Sequence, residues 1–135
     1  MPRDPRTGLE IFGPVNEGTT FDYVAKGLKD QTGQLITNTV GATIEAEIFD
    51  SDTGQVLAPK RDILNTGSNG MDGVFDTTTS DLTVTVSGDL VHVLNQRLPF
   101  EDHVLLISWS FNSGGTKGNH SVIIRVRNLR RVGDH

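Results

Sequence analysis

Residues 30–57 read DQTGQLITNTVGATIEAEIFDSDTGQVL. Apolar and polar residues alternate through the middle of this stretch. The apolar set is Val40, Ala42, Ile44, Ala46 and Ile48, and the polar residues between them include Thr43, Glu45 and Glu47. A period of two is typical of a β-strand with one buried face and one solvated face. Similar turns, DQTGQL and DTGQV, stand at its two ends, so the pattern predicts an antiparallel neighbour on each side.

The same alternation predicts further strands elsewhere in the chain. It covers residues 19–28, 82–86, 103–111 and 122–127, and the last two are joined by a glycine-rich loop as in a hairpin. No window has the period of an amphipathic helix. A total of about seven to nine strands predicts an all-β protein, an immunoglobulin-like antiparallel β-sandwich, with a jelly roll as the alternative. Trp109 alternates with apolar residues on one strand face and is expected in the core.

Composition agrees with one β-rich domain. The chain has 135 residues, a hydrophobic fraction of 35% and 15 glycines, which suits thin layers joined by many turns. The absence of cysteine excludes disulfides and thiolate chemistry, and it favours folding inside the cell. No apolar run is long enough to span a bilayer, and the polar N-terminus lacks the apolar segment of a signal peptide. We therefore expect synthesis in the cytoplasm without export, and no membrane partner.

Three regions are predicted along the chain. Residues 1–18 are rich in proline and glycine and are expected to form an extended arm, residues 19–128 the sandwich, and residues 129–135 a basic tail. The arm carries a short apolar patch that contains Leu9, Ile11 and Phe12. We predict that this patch fastens the arm to a neighbouring subunit, and a disordered leader is the alternative.

Charge is distributed unevenly. The net charge is −5, but residues 120–135 contain four arginines and one aspartate, so this end carries +3 and residues 1–119 carry −8. The acidic body argues against a nucleic-acid partner. The arginines that are predicted to pair with carboxylates of an adjoining protein are Arg125, Arg127, Arg130 and Arg131. Phe49 lies on the polar face of its strand, where it is predicted to cover an interface or, alternatively, the next sheet layer.

Candidate metal and catalytic residues were weighed against structural roles. The segment from Asp50 to Gly54 has the spaced carboxylates of a calcium loop, but a third acidic ligand and a later glutamate are missing. His103 and His120 face each other across the predicted hairpin, but a zinc site would need further ligands. No metal or cofactor is therefore predicted.

Catalysis is not expected either. No nucleophile stands in a G-x-S-x-G elbow, and no glycine-rich phosphate loop leads into a helix. Glu45 and Glu47 share one strand face, where two carboxylates could act on a sugar, but a solvated surface explains them more simply. The run Glu101, Asp102 and His103 is interpreted as a charged turn before a strand. A small β-sandwich hydrolase is the least favoured function.

Three segments together resemble a known family. These are the stretch at 30–57, the segment GMDGVF at 70–75 and the segment HVLLISWS at 103–110. They are similar to the immunoglobulin-like modules of tailed-bacteriophage virion proteins, over roughly residues 20–128. The resemblance implies a non-enzymatic structural protein of the virion, since the family has no catalytic residues to transfer.

The resemblance favours a capsid decoration or cement protein that binds neighbouring capsid subunits, and a homo-oligomer is expected. A head–tail connector and a tail or baseplate accessory protein are alternatives in the same class. A carbohydrate- or receptor-binding adhesion module is an alternative of another class, and it would use the loops at 65–73 and 112–119.

Overall fold

The sandwich is formed by eight strands in the part of the chain that the computed structural model describes, which is residues 3–5, 7–30, 32–37, 42–64, 70–111 and 116–129. The strands are β1 (Ile11–Asn16), β2 (Phe21–Ala25), β3 (Thr43–Asp50), β4 (Val56–Asp62), β5 (Met71–Asp76), β6 (Asp81–Val86), β7 (Phe100–Phe111) and β8 (Thr116–Arg127). A short 3₁₀ helix, Gly88–Leu90, follows β6. None of the helical segments in the described ranges has the length and apolar character needed to cross a lipid bilayer.

Two sheets pack against each other. One has five strands in the order β1-β8-β7-β3-β4, and the other has three in the order β2-β6-β5. All the pairs are antiparallel except β1 with β8, which is parallel. β3, the strand in the opening stretch, has an antiparallel neighbour on each side, β4 and β7. β2, which comes before it in the sequence, lies in the other sheet, so β7 and not the preceding strand is its second neighbour. The all-β sandwich expected from the sequence is therefore confirmed.

The core lies between the sheets, on the faces that the alternation predicted. In β3, Ile44, Ala46 and Ile48 are at most 3% exposed, and Leu82 in β6 and Leu105 in β7 are fully buried. Burying each large aliphatic side chain contributes about 1.5–3 kcal/mol to the free energy of unfolding. Trp109 lies on the same inward face of β7 as Leu105 and is buried, as predicted.

The N-terminal segment differs from the free arm predicted for residues 1–18. Ile11–Asn16 forms β1 and pairs with β8, with Ile11 opposite Ile123 and Val15 opposite Val126. Val15 is only 8% exposed and belongs to the core. Gly13 and Pro14 interrupt the alternation of apolar and polar residues, and the register with β8 shifts between Phe12 and Val15. A search of the sequence for strict alternation therefore does not find this strand.

Residues 3–5 and 7–10 lie against the outer face of the five-stranded sheet near β8. Val104 in β7 and Ile123 in β8 point away from the core, yet they are 7% and 0% exposed. The backbone N–H of Ile123 donates to the carbonyl of Glu10, and Asp4 is buried close enough for its charge to act on Arg125. The start of the chain therefore covers part of a face that would otherwise be solvated.

Candidate functional site

An apolar groove lies where the edges of the two sheets meet. It has a volume of about 570 Å³ and is lined by all six residues of β1 together with Thr19 and Phe21. β1 is an edge strand of the larger sheet and β2 is an edge strand of the smaller one. We call this feature the β1/β2 groove. It contains Ile11 and Phe12, two of the residues that the sequence singled out for partner binding.

Aromatic rings join β1 to the smaller sheet beneath the groove. The ring of Phe12 lies 5.6 Å from that of Phe21 and meets the ring of Tyr23 edge-on at 5.5 Å, centroid to centroid. The hydroxyl of Tyr23 shares a hydrogen bond of 2.7 Å with Nε2 of His120, and the two rings stack. Such ring pairs contribute about 0.5–1.5 kcal/mol each beyond the burial of their area. These ring contacts and the hydrogen bond therefore hold β1, one wall of the groove, against the smaller sheet.

The Tyr23–His120 pair is electrically neutral near neutral pH. Burial, with a smaller effect of the negative charge of Glu10, raises the pKa of Tyr23 to about 12. Burial also lowers the pKa of His120 below its ordinary value, and the charge of Glu10 opposes this in part. Desolvation disfavours the charged form of either group. The wall of the groove therefore carries an uncharged hydrogen bond.

A second cleft of about 440 Å³, which unlike the β1/β2 groove is lined in part by charged residues, shares Pro14 with that groove. Its rim carries Arg125, whose guanidinium forms two hydrogen bonds with Asp102, from Nε to Oδ1 at 2.8 Å and from Nη2 to Oδ2 at 3.0 Å. This pairing raises the pKa of Arg125. The guanidinium of Arg127 lies 5.8 Å from the centre of the Phe100 ring. Both arginines thus have contacts within the chain.

The remaining predicted partner residues are dispersed. Leu9 is half-buried in the segment that precedes β1, and Phe49 is half-buried on the outer face of β3, between Val56 and Val104 on the neighbouring strands. Arg130 and Arg131 lie outside the described residues. The same holds for residues 65–69 and 112–115, which form about half of each of the two loops expected of an adhesion module.

A buried polar cluster lies at one end of the sandwich interior. It consists of Asp50, Glu101 and His103, which are 5%, 5% and 1% exposed. Nε2 of His103 lies 2.6 Å from Oε1 of Glu101. Each of these residues offers one ligand atom, and the three atoms lie within 4.8 Å of one another.

Backbone and side-chain donors hold the two carboxylates of this cluster. The N–H groups of Leu94 and Asn95 donate to the two oxygens of Glu101, each at 2.8 Å. The backbone N–H and the hydroxyl of Thr53 both donate to Oδ2 of Asp50, also at 2.8 Å. Glu101 therefore fixes the loop before β7, and Asp50 fixes the turn after β3.

The sequence matches no known protein family, and no characterised protein is recognisable as a relative. The glutamates weighed as a catalytic pair, Glu45 and Glu47, lie on the outer face of β3, and Glu45 is 4.0 Å from the ammonium of Lys60.

The polar cluster is the feature that the sequence interpretation missed. Glu101 and His103 were interpreted as a charged turn, and Asp50 was considered only with its own turn. The sequence does contain a signal for this cluster, which is the alternation of inward and outward side chains along each strand. Asp50 continues the inward set of Ile44 to Ile48, and Glu101 continues the inward set of β7, so the three side chains had to point into the sandwich.

Proposed function

We propose that this protein is a non-enzymatic structural subunit that binds a neighbouring protein at the β1/β2 groove. The resemblance of the three segments to phage modules supports virion proteins of a tailed bacteriophage as the neighbours, most directly capsid subunits that this protein would decorate. A place at the head–tail junction or in the tail would use the same groove. The observation that carries the proposal is an apolar groove between two strand edges.

Physical chemistry favours a protein partner at this place. Within the described residues, β1 pairs with β8 on one side only, so its other side offers backbone hydrogen-bonding groups that a neighbouring extended segment can use. The lining residues Phe12 and Phe21 offer apolar area beside those groups. Main-chain pairing would supply affinity, and the apolar contacts would select the partner's side chains.

The virion assignment is tested by mass spectrometry and electron microscopy of phage particles purified from the strain that encodes this chain. The expected result is recovery of the protein at constant stoichiometry with the major capsid protein, with antibody label on the particle surface. Particles that contain none of this protein would refute a virion role, whatever the groove binds.

The groove is tested by exposed residues on its rim, since their substitution leaves the sandwich intact. Thr19→Arg and Asn16→Arg each place a charge at the interface, and desolvating such a charge costs affinity. We expect binding to particles that lack the protein to weaken at least about tenfold, which is about 1.4 kcal/mol. Val74→Lys, at a position 68% exposed on the smaller sheet, is the matched control and is expected to bind normally. If Val74→Lys weakened binding as much as the two groove variants did, a role for the groove would be contradicted.

A further inference from the structure

We propose that Asp50, Glu101 and His103 form a binding site for a divalent transition-metal ion of the Zn²⁺ type, a site separate from the β1/β2 groove. Asp50 and His103 lie opposite each other in the register of β3 and β7, and Glu101 is two residues before His103 on the same face. The three ligand atoms lie within 4.8 Å of one another. One imidazole nitrogen with two carboxylate oxygens is a donor set that such ions accept.

The charge of the cluster points to a cation. Both carboxylates are 5% exposed, and no lysine or arginine in the described ranges lies within ion-pair distance of either. His103 is the one basic side chain beside them, and it brings at most a single positive charge. Buried charges are costly unless they are paired or coordinate a metal. A divalent ion would add positive charge beyond what His103 and the hydrogen-bond donors provide.

The ligand atoms lie close together, and binding of an ion would replace the hydrogen bond between His103 and Glu101. Both described hydrogen bonds to the Asp50 side chain fall on Oδ2, which leaves Oδ1 for an ion. Two ligands on one Zn²⁺, each about 2.0–2.2 Å from it, stand roughly 3.0–3.5 Å apart. The 2.6 Å separation of His103 Nε2 and Glu101 Oε1 therefore has to widen by less than an ångström.

The surroundings supply an outer shell and an entry path. Thr53 orients the carboxylate of Asp50, and the N–H groups of Leu94 and Asn95 orient that of Glu101. Such partners fix the direction of ligands around an ion. Glu101 also lines the second cleft, so an ion would enter from that side. Water would complete the coordination.

The ion would join β3, β7 and the loop before β7 at one point. A chain without cysteine has no disulfide for this purpose. Because the ligands converge only in the folded chain, binding stabilises the fold in proportion to the logarithm of free metal over its dissociation constant. We therefore expect a structural role for the metal.

The first test is calorimetric titration of the chelator-treated full chain with Zn²⁺, with Ca²⁺ as the comparison ion. We expect one Zn²⁺ per chain, weaker binding of Ca²⁺, and a melting temperature raised by about 5–10 °C at 100-fold excess over the dissociation constant. Asp50→Asn and Glu101→Gln should each weaken Zn²⁺ binding at least about tenfold. The matched controls Asp52→Asn and His92→Ala, both at exposed positions, should leave it unchanged. Zn²⁺ uptake that Asp50→Asn does not alter would overturn the site.

The second test needs no substitution and so does not depend on the folding of a variant. Imidazole ¹⁵N resonances of the wild-type chain are recorded before and after one equivalent of Zn²⁺. The resonances of His103 should shift and those of His92 should not. A chain whose His103 resonances stay in place at saturating Zn²⁺ has no metal at this cluster. Ca²⁺ binding as tight as Zn²⁺ binding would overturn the transition-metal assignment.

Discussion

Replacing Phe12 by alanine measures how far β1 belongs to the sandwich. A fully buried phenylalanine costs about 3–5 kcal/mol when it is truncated to alanine. Phe12 is half-buried, but it makes two aromatic contacts, with Phe21 and Tyr23. We therefore expect the free energy of unfolding to fall by about 2–3 kcal/mol. For a chain of this length, the melting temperature should fall by roughly 6–12 °C.

The assay is urea denaturation of the purified chain, followed by the fluorescence of its single tryptophan, Trp109, which is buried in the core. Phe100→Ala is the matched control. Phe100 is 39% exposed and contacts Arg127 on the outer face, so its loss should cost less than about 1 kcal/mol. If Phe12→Ala left the unfolding curve unchanged while Phe100→Ala did not, the reasoning would be refuted, and residues 1–18 would again be interpreted as a free arm.

Three further perturbations have defined outcomes. His120 has a lowered pKa in the folded chain, so the unfolded chain takes up a proton first, near pH 6.5, and stability falls as the pH drops below that value. The melting temperature of His120→Gln should fall less steeply than that of the wild type between pH 6.5 and 5, and equal slopes would exclude this linkage. Gly88→Ala places a Cβ against the backbone of the turn between β1 and β2. We therefore expect the free energy of unfolding, measured by calorimetry, to fall by about 1–3 kcal/mol. An unchanged unfolding temperature would mean that the turn shifts freely to accommodate the methyl group. Asp102→Asn breaks the paired hydrogen bonds to Arg125, whose side chain is 40% exposed, and should cost about 0.5–1 kcal/mol, less at high salt; a salt-independent loss would point to packing instead.

The inward faces of the strands could be predicted from the sequence because burial follows a period of two. The alternation in the opening stretch correctly predicts that Ile44 and Ile48 point inward. The alternation in the final hairpin does the same for Leu105 and Trp109. Where one face packs on a core and the other faces solvent, the alternation is sufficient to identify the strand.

Sheet order and β1 could not be predicted in this way. β1 is short, contains Gly13 and Pro14, and gains its stability from a parallel pairing with β8, at the far end of the sequence. A pairing between distant segments leaves no local pattern. The polar cluster was missed for a related reason, since Asp50 meets Glu101 and His103 only after β3 and β7 have paired.

The pairing of β1 with β8 has a consequence for folding during synthesis. β1 is made first among the strands and β8 last, so the edge of the larger sheet cannot close until β8 has emerged from the ribosome. Until then, Phe12 and Val15 have no sheet to join, and the nascent chain exposes an unpaired apolar segment. Contacts of such high sequence separation slow folding and prolong exposure to aggregation. We expect a strong dependence on chaperones when the chain is translated rapidly.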